Sequence, residues 1–216
     1  MPERCGPLQR LACLIGAARS AQREAEQLQP FGSRGPPVAG TDSARNVLVQ
    51  PDGAIVIGGK ARIDNPAVGY GLARQSDGKL LLAGRSGQGS AGQFALMRLA
   101  ADGSSDASFG TAGQVTTTVS AFGDLAHAVA VQADGRILVA GEGSSAGVNQ
   151  NFQLVRYLSD GKIDSAFASG GKLVIDFSGF ADIAESVAVQ PDGRIVLGGL
   201  GREGPDGGYG LARVNP

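Results

Sequence analysis

The stretch Val129-Ala-Val-Gln-Ala-Asp-Gly-Arg-Ile-Leu-Val-Ala-Gly141 decides the fold, because it does not occur alone. It returns as VLVQPDGAIVIGG from Val47, as VAVQPDGRIVLGG from Val187, and as the half-copy QSDGKLLLAG from Gln75. Two apolar runs flank each Asp-Gly pair, the pattern of a tight β-hairpin. In Gln190-Pro191-Asp192-Gly193-Arg194 the proline presets φ for the first turn position and Asp favours the next. Gly193 then takes the left-handed conformation that other residues resist. Pro51-Asp52-Gly53 repeats this chemistry, while Ala133 and Ser76 stand in for proline in the other copies. The Asp residues are read as turn formers. Treating them as catalytic carboxylates would require several identical active sites in one chain.

A second set of Asp-Gly pairs, at Asp102 and Asp160, follows FALMRL (Phe94 to Leu99) and FQLVRY (Phe152 to Tyr157). The steps from Asp134 to Asp192 and from Asp102 to Asp160 are both 58 residues. One full unit, Ala126 to Phe177, holds AHAVAVQ, RILVAGE, NFQLVRY and KLVIDF, which read as four antiparallel strands. Both alternating sets of VAVQADGRILVAG are apolar, so each sheet is expected to be covered on both faces. Small four-stranded sheets packed face to face around an axis make a β-propeller. The expected fold is therefore all-β, a propeller-like array of about three four-stranded blades, partial or open. A β-helix is the rival, but its coils are shorter and need no Asp-Gly hairpins.

The copies are uneven. From Asp52 to Asp77 the step is only 25 residues, and YGLAR (Tyr70 to Arg74) leads straight into the next hairpin, as if a strand pair were missing. Phe31-Gly-Ser-Arg-Gly35 resembles Phe109-Gly-Thr-Ala-Gly113, which starts the repeat region near residue 31. The expected division is a helical or disordered segment over 1–30 and a repeat domain over 31–216. Within the latter come an irregular unit 31–78, units at about 79–125 and 126–183, and a partial unit 184–216. About three blades are too few to close a propeller, so the array is a fragment, an open series, or completed by association. An open end exposes sheet edges or an apolar face, a route to self-association.

Bulk composition narrows the field further. The 216 residues carry 19 basic and 20 acidic side chains, a net charge of −1, with no basic stripe for nucleic acid. Gly is abundant, 35 residues, which suits many short strands joined by turns. Trp is absent, so aromatic platforms are few. Cys5 and Cys13 lie outside the repeats and lack the partners of a zinc site. No apolar run of eighteen residues exists, so no spanning helix is expected. Leu11 to Ala18 makes a poor signal-peptide core and reads better as part of a marginal amphipathic helix, Pro7 to about Gln29.

The segments AVAVQADGRILVAGEG, FALMRLAADGSSDASFGTAGQV and ESVAVQPDGRIVLGGL, recurring in order, resemble the delta-60 repeat found in tandem in bacterial proteins. The resemblance covers about Phe31 to Pro216. It implies a propeller-like fold and, often, a large envelope-associated or secreted protein, and it carries no established activity. The compressed second unit and the first thirty residues depart from that pattern.

Two matches to catalytic patterns fail on context. Gly87-Gln-Gly-Ser-Ala-Gly92 fits GxGxxG, but QFALMRLA follows, a strand and not the helix that a dinucleotide site requires. Gly143-Ser-Ser145-Ala-Gly147 fits GxSxG, but NFQLVRY follows, and the one histidine, His127, comes earlier in the chain. With a single His, Ser–His hydrolysis and histidine metal sites lack parts. No catalytic residue, metal ligand or cofactor is assigned. Clustered Asp could in principle hold calcium, but neither an EF-hand nor a GGxGxD pattern is present.

Arginine recurs more instructively. Arg74, Arg98, Arg156 and Arg213 each end a (Phe/Tyr)-x-Leu-x-Arg segment. One reading lines a channel with Arg for anions. The favoured one ties Arg98 to Asp106 and Arg156 to Asp164, eight residues on in both units, because charges among apolar neighbours are normally paired. The loops after the second strand of each unit vary while the strands repeat, and equivalent loops gather on one propeller face. That makes Arg62, Asp64, Asn149, Asn151, Arg202 and Asp206 the candidate ligand-binding residues. The expected function is a non-enzymatic repeat module giving a binding or structural surface in a larger bacterial envelope or secreted protein. Its ligand, protein or carbohydrate, is unspecified. The alternatives are a propeller-type lyase or glycosidase and a degenerate repeat fragment.

Overall fold

The computed structural model describes residues 43–49, 55–60, 69–87, 89–144, 149–177, 180–202 and 207–216. The expected N-terminal helix lies outside them. Thirteen strands follow one another among the described residues: β1 (Ser43–Val49), β2 (Ile55–Lys60), β3 (Gly69–Arg74), β4 (Leu80–Ser86), β5 (Gln93–Leu99), β6 (Gln114–Thr117), β7 (Asp124–Val131), β8 (Ile137–Gly143), β9 (Asn151–Tyr157), β10 (Lys172–Ile175), β11 (Ile183–Val189), β12 (Ile195–Arg202) and β13 (Gly207–Val214). They form four open antiparallel sheets, β1-β2, β3 to β6, β7 to β10 and β11 to β13, each strand beside its chain neighbour. The protein is all-β, built from blades of the propeller kind.

The hairpins at Asp77, Asp134 and Asp192 take the turn their sequence asks for, and the copy at Asp52 lies outside the described residues. Gly78, Gly135 and Gly193 have φ of 86°, 85° and 85°, and each amide donates to the carbonyl of the Gln three residues back. The Asp side chain before each glycine accepts from the backbone amide two residues on, as Asp134 does from Arg136 at 3.0 Å. The turn-forming role of these aspartates thus has a visible bond.

Two apolar clusters fill the seams between blades. On β8, Ile137 and Val139 meet Leu81, Ala83, Phe94 and Leu96 of the preceding blade. The alternate residues Leu138 and Ala140, with Phe152 and Leu154 of β9, meet Ile195 and Leu197 of the following blade. Two-residue periodicity sends successive side chains to opposite faces, so a strand buried on both sides must be apolar throughout. The first strands lie side by side from blade to blade, β3 against β7 and β7 against β11.

The compressed unit has a definite form. YGLAR lies in β3, and β3 pairs with β4 as the first strand of its sheet, the place β7 and β11 hold in theirs. The short step from Asp52 to Asp77 therefore leaves only two strands, β1 and β2, in the sheet before it among the described residues. The boundary expected at residues 78–79 differs accordingly: this sheet begins at Gly69.

Candidate functional site

Every first strand carries a bulge at the same place. The register shifts fall between Ala44 and Asn46, Gly69 and Gly71, Ala126 and Ala128, and Ala184 and Ser186. The extra residues are Arg45, Tyr70, His127 and Glu185, four different chemistries at one repeated position. A bulge breaks the ladder and re-aims a side chain, and bulges concentrate beside functional sites. The partner strand makes room with glycine. A Cβ on Gly141 would lie 2.0 Å from the Leu125 carbonyl oxygen, and one on Gly199 would lie 1.9 Å from that of Ile183.

These bulges sit toward the end of the blade that carries the variable loops, opposite the Asp-Gly hairpins. In the third sheet Asp124 pairs with Gly143 and Asn151 with Gly143, so the β8–β9 loop rises beside the start of β7. There His127 Nε2 stands 3.6 Å from Glu142 Oε1, both side chains largely buried. Asn151 is half-buried, and its Oδ1 has no hydrogen-bond partner among the described residues. Asn149 is half-buried at the rim of the same loop. Arg62, Asp64 and Asp206 lie outside the described residues, and Arg202 is described only as the last residue of β12. The structure thus brings Asn149 and Asn151 to the loop end that holds His127 and Glu142.

Two of the recurring arginines, Arg98 and Arg156, are tied internally. Arg98 Nε donates to Asp106 Oδ2 at 2.8 Å, and its guanidinium lies over the Phe109 ring at 4.6 Å. Arg156 repeats this with Asp164 at 2.9 Å and Phe167 at 4.4 Å. A second cation joins each carboxylate from the hairpin turn: Lys79 Nζ lies 3.1 Å from Asp106, and Arg136 Nε lies 3.0 Å from Asp164. That third member was not foreseen. Its signal was present in the recurrence Asp77-Gly-Lys79, Asp134-Gly-Arg136 and Asp192-Gly-Arg194. The Ser108 hydroxyl on Asp106, with Lys79 and Arg98, holds its pKa well below the usual carboxylate range against the opposing effect of burial. For Asp164 burial alone pushes the pKa up, but the Ala166 amide, Arg156 and Arg136 together pull it down. Arg74 does not join this set, because it ends a first strand and not a third.

Two buried aspartates also escaped notice. Asp124 accepts from the Val119 amide at 2.8 Å and from the Ser120 amide at 3.0 Å, and its own amide donates to Gly92 of the preceding blade at 2.9 Å. Asp182, at the same place in the next unit, accepts from the Phe177 amide at 2.9 Å and donates to Gln150 at 2.7 Å. Both hook the crossover into one blade onto the blade before. The recurrence Asp124-Leu-Ala126 and Asp182-Ile-Ala184 could have revealed them.

The motif matches resolve as loops. Gly89–Ala91 forms one 3₁₀ turn between antiparallel β4 and β5, so no helix opens at the GxGxxG match. Of the GxSxG match, Gly143 ends β8 and residues 145–147 lie outside the described residues. Among the described residues no group of three His, Cys, Asp or Glu could hold a metal ion. A cleft of about 700 Å³ opens on the outer seam between the second and third sheets, lined by Ser108, Thr111, Gln114, Asp160 and Lys162. Asp160 and Lys162 neutralise one another at 2.8 Å, so the cleft presents hydroxyls and amides without a free charge.

Three segments, residues 75–109, 132–167 and 190–216, match the family model described as "Domain of unknown function (DUF5122) beta-propeller". Each match opens on the Gln of an Asp-Gly hairpin, Gln75, Gln132 or Gln190. The chain carries a β-propeller repeat domain. The matched family is of the same repeat kind as the delta-60 repeats. No curated protein matches the chain. The matched segments take in the hairpin turns at Asp77, Asp134 and Asp192 and the second and third strands that follow them, while the bulge positions Arg45, Tyr70, His127 and Glu185 fall outside every matched segment. No helix among the described residues is long and apolar enough to cross a membrane.

Proposed function

We propose that this propeller is a non-enzymatic module that binds a protein or glycan ligand across its loop end, as part of a larger envelope-associated or secreted bacterial protein. The observation that carries the reading is the bulge set Arg45, Tyr70, His127 and Glu185: one framework position, repeated in every blade, holds a different polar or aromatic residue each time. A merely structural position would repeat its residue, as the hairpin Asp-Gly pairs and the buried Asp124 and Asp182 do. Asn149 and Asn151 extend the surface at the same end, with Arg62, Asp64, Arg202 and Asp206 as the remaining loop candidates. The internal pairing of Arg98, Arg156, Asp106 and Asp164 supports assigning those four to the framework and not to a ligand.

The test is binding to glycan and peptide arrays by the wild type and by a His127→Ala/Glu185→Gln variant. Loss of the wild-type signals in the variant, with its circular dichroism unchanged, is expected. Equal binding by both would move the site elsewhere. Turnover of chromogenic glycosides that the double variant abolishes would establish an enzyme instead.

A further inference from the structure

The crossovers into the third and fourth sheets repeat one motif, Ser120-Ala-Phe-Gly-Asp-Leu-Ala126 and Ser178-Gly-Phe-Ala-Asp-Ile-Ala184. The Asp of each is the buried hook described above, whereas the Phe of each, Phe122 and Phe180, is 50% and 42% exposed. Single exposed apolar side chains are ordinary, but this one recurs at the same repeat position. Phe122 rides the loop end of the seam between the second and third sheets. Its amide donates to the Ser144 carbonyl of the third at 3.0 Å, and the Asp124 amide donates to Gly92 of the second.

Beside Phe122 the second sheet seats a cation. Arg85 of β4 is half-buried and donates from Nη2 to the Gly89 carbonyl. Among the described residues no carboxylate pairs with it, and its buried Nε–H has no acceptor. Two glycines make its slot. A Cβ on Gly92 would fall on the guanidinium, and one on Gly123, next to Phe122, would press on the Gly89 carbonyl and lie 3.4 Å from Nη2. Charges among packed neighbours are normally paired, as Arg98 and Arg156 are, yet this one is held in place without an anion. In the third sheet the same register place belongs to Glu142, beside His127, so the bare guanidinium marks one seam. Asn151, opposite Gly143 where the Ser144 loop starts, has an Oδ1 without a partner among the described residues.

We infer that this seam is a subsite for an acidic sugar, a uronate residue of a glycan, with its ring against Phe122 and its carboxylate on Arg85. The inference rests on the loop-end reading above and names the ligand class within it. A pyranose turns C–H bonds outward on its faces, which suit an aromatic ring, and a uronate adds a carboxylate that matches the planar guanidinium fork. An acidic peptide fits worse. The backbone groups here are bonded to one another, Phe122 to Ser144, Asp124 to Gly92 and Gly92 to Gly89, which leaves no ladder for a peptide chain. Phe180 offers a second ring one sheet on, about 10 Å away by the usual spacing of packed sheets, a span for an oligosaccharide and not for a single sugar.

Isothermal titration calorimetry of the full chain tests this with oligomers of galacturonate, glucuronate and mannuronate, and with uncharged glucose oligomers of equal length. At least one uronate oligomer is expected to bind about tenfold or more tightly than the uncharged one, and less tightly as salt rises. Arg85→Gln and Phe122→Ser should each lose about tenfold or more in that affinity, with circular dichroism unchanged. Phe180→Ser should weaken long oligomers more than dimers. Lys162→Gln makes the same change of charge at an 80% exposed side chain away from the loop end, and should bind like the wild type. Equal affinity for charged and uncharged oligomers overturns the inference, as does full uronate binding by both Arg85→Gln and Phe122→Ser. Polyglutamate bound in place of every uronate, and lost with Arg85→Gln, overturns it in favour of an acidic peptide. If array ligands are lost in the His127→Ala/Glu185→Gln variant while no uronate binds the wild type, this ligand class falls and the loop-end reading stands.

Discussion

Arg98 and Ser159 belong to neighbouring blades, and Nη1 of Arg98 donates to the Ser159 carbonyl at 2.6 Å. The same guanidinium binds Asp106 through Nε and the Ser108 hydroxyl through Nη2, at 2.8 and 3.1 Å. One side chain thus fastens the turn inside its own blade and the seam to the next. The Gly110 amide, which donates to the Asp160 carbonyl at 2.9 Å, seals that seam beside it.

Arg98→Met should be costly and Lys79→Met cheap, although both cations face Asp106. The Arg98 side chain is 8% exposed, and removing one partner of a buried pair costs about 3 kcal/mol or more. The Lys79 side chain is 32% exposed, and such pairs contribute about 0–1 kcal/mol. Arg98→Lys should also lose stability, since a lysine cannot reach Asp106, Ser108 and Ser159 at once. Urea unfolding of the three variants measures the ranking.

Acid should loosen the blades through the same carboxylates. The folded pKa values of Asp106 and Asp164 are depressed below the ordinary carboxylate value of about 3.9. Their stabilisation is therefore complete above that value and is lost as pH falls from it toward the folded pKa. Unfolding free energy measured from pH 6 to pH 2 should fall steeply below about pH 4. An Asp106→Asn/Asp164→Asn variant, weaker at neutral pH, should show a shallower fall.

Gly141→Ala should destabilise the third blade by about 1–3 kcal/mol, the usual cost of forcing an extra methyl into a packed site. The clash is with backbone, the Leu125 carbonyl and the Ala126 Cα, which cannot rotate away. Gly103→Ala meets no atom within 4 Å and is opposed only by its φ of 87°. Thermal melts of both variants separate crowding from backbone strain.

Tyr157→Phe should cost about 1 kcal/mol, the net worth of an ordinary buried hydrogen bond. The Tyr157 hydroxyl donates to Thr117 Oγ1 of the preceding blade at 2.8 Å. Burial pushes its pKa far above the free-phenol value of about 10. Its stabilisation is present below that value and is lost as pH rises through the folded pKa. The wild type should lose stability above about pH 10, and Tyr157→Phe should lose less. Denaturant midpoints across that range measure the difference.

Local chemistry made the hairpins legible. A turn of Asp-Gly type is settled within four residues, so Gln132 to Gly135 carries its own instruction. Double-sided burial was legible too, because Val129 to Gly141 is apolar in both alternating sets. The Arg98–Asp106 spacing pointed to partners because both units repeat it. The hooks Asp124 and Asp182 were harder to see, since their partners are backbone amides that no residue type announces. The bulges were not legible at all. Ala126, His127 and Ala128 read as plain strand, and only pairing with Ala140 and Gly141 shows that one residue is extra.

The sequence by itself determined the repeating unit, the turns and the layered all-β architecture, because periodicity and turn chemistry act over a few neighbouring residues. Tertiary structure alone decided which strand joins which sheet. YGLAR from Tyr70 and YGLAR from Tyr209 are the same five residues, yet one lies in a first strand and the other in a third. A strand's place depends on the backbone donors and acceptors its neighbours leave unpaired, and those neighbours are set by the whole chain.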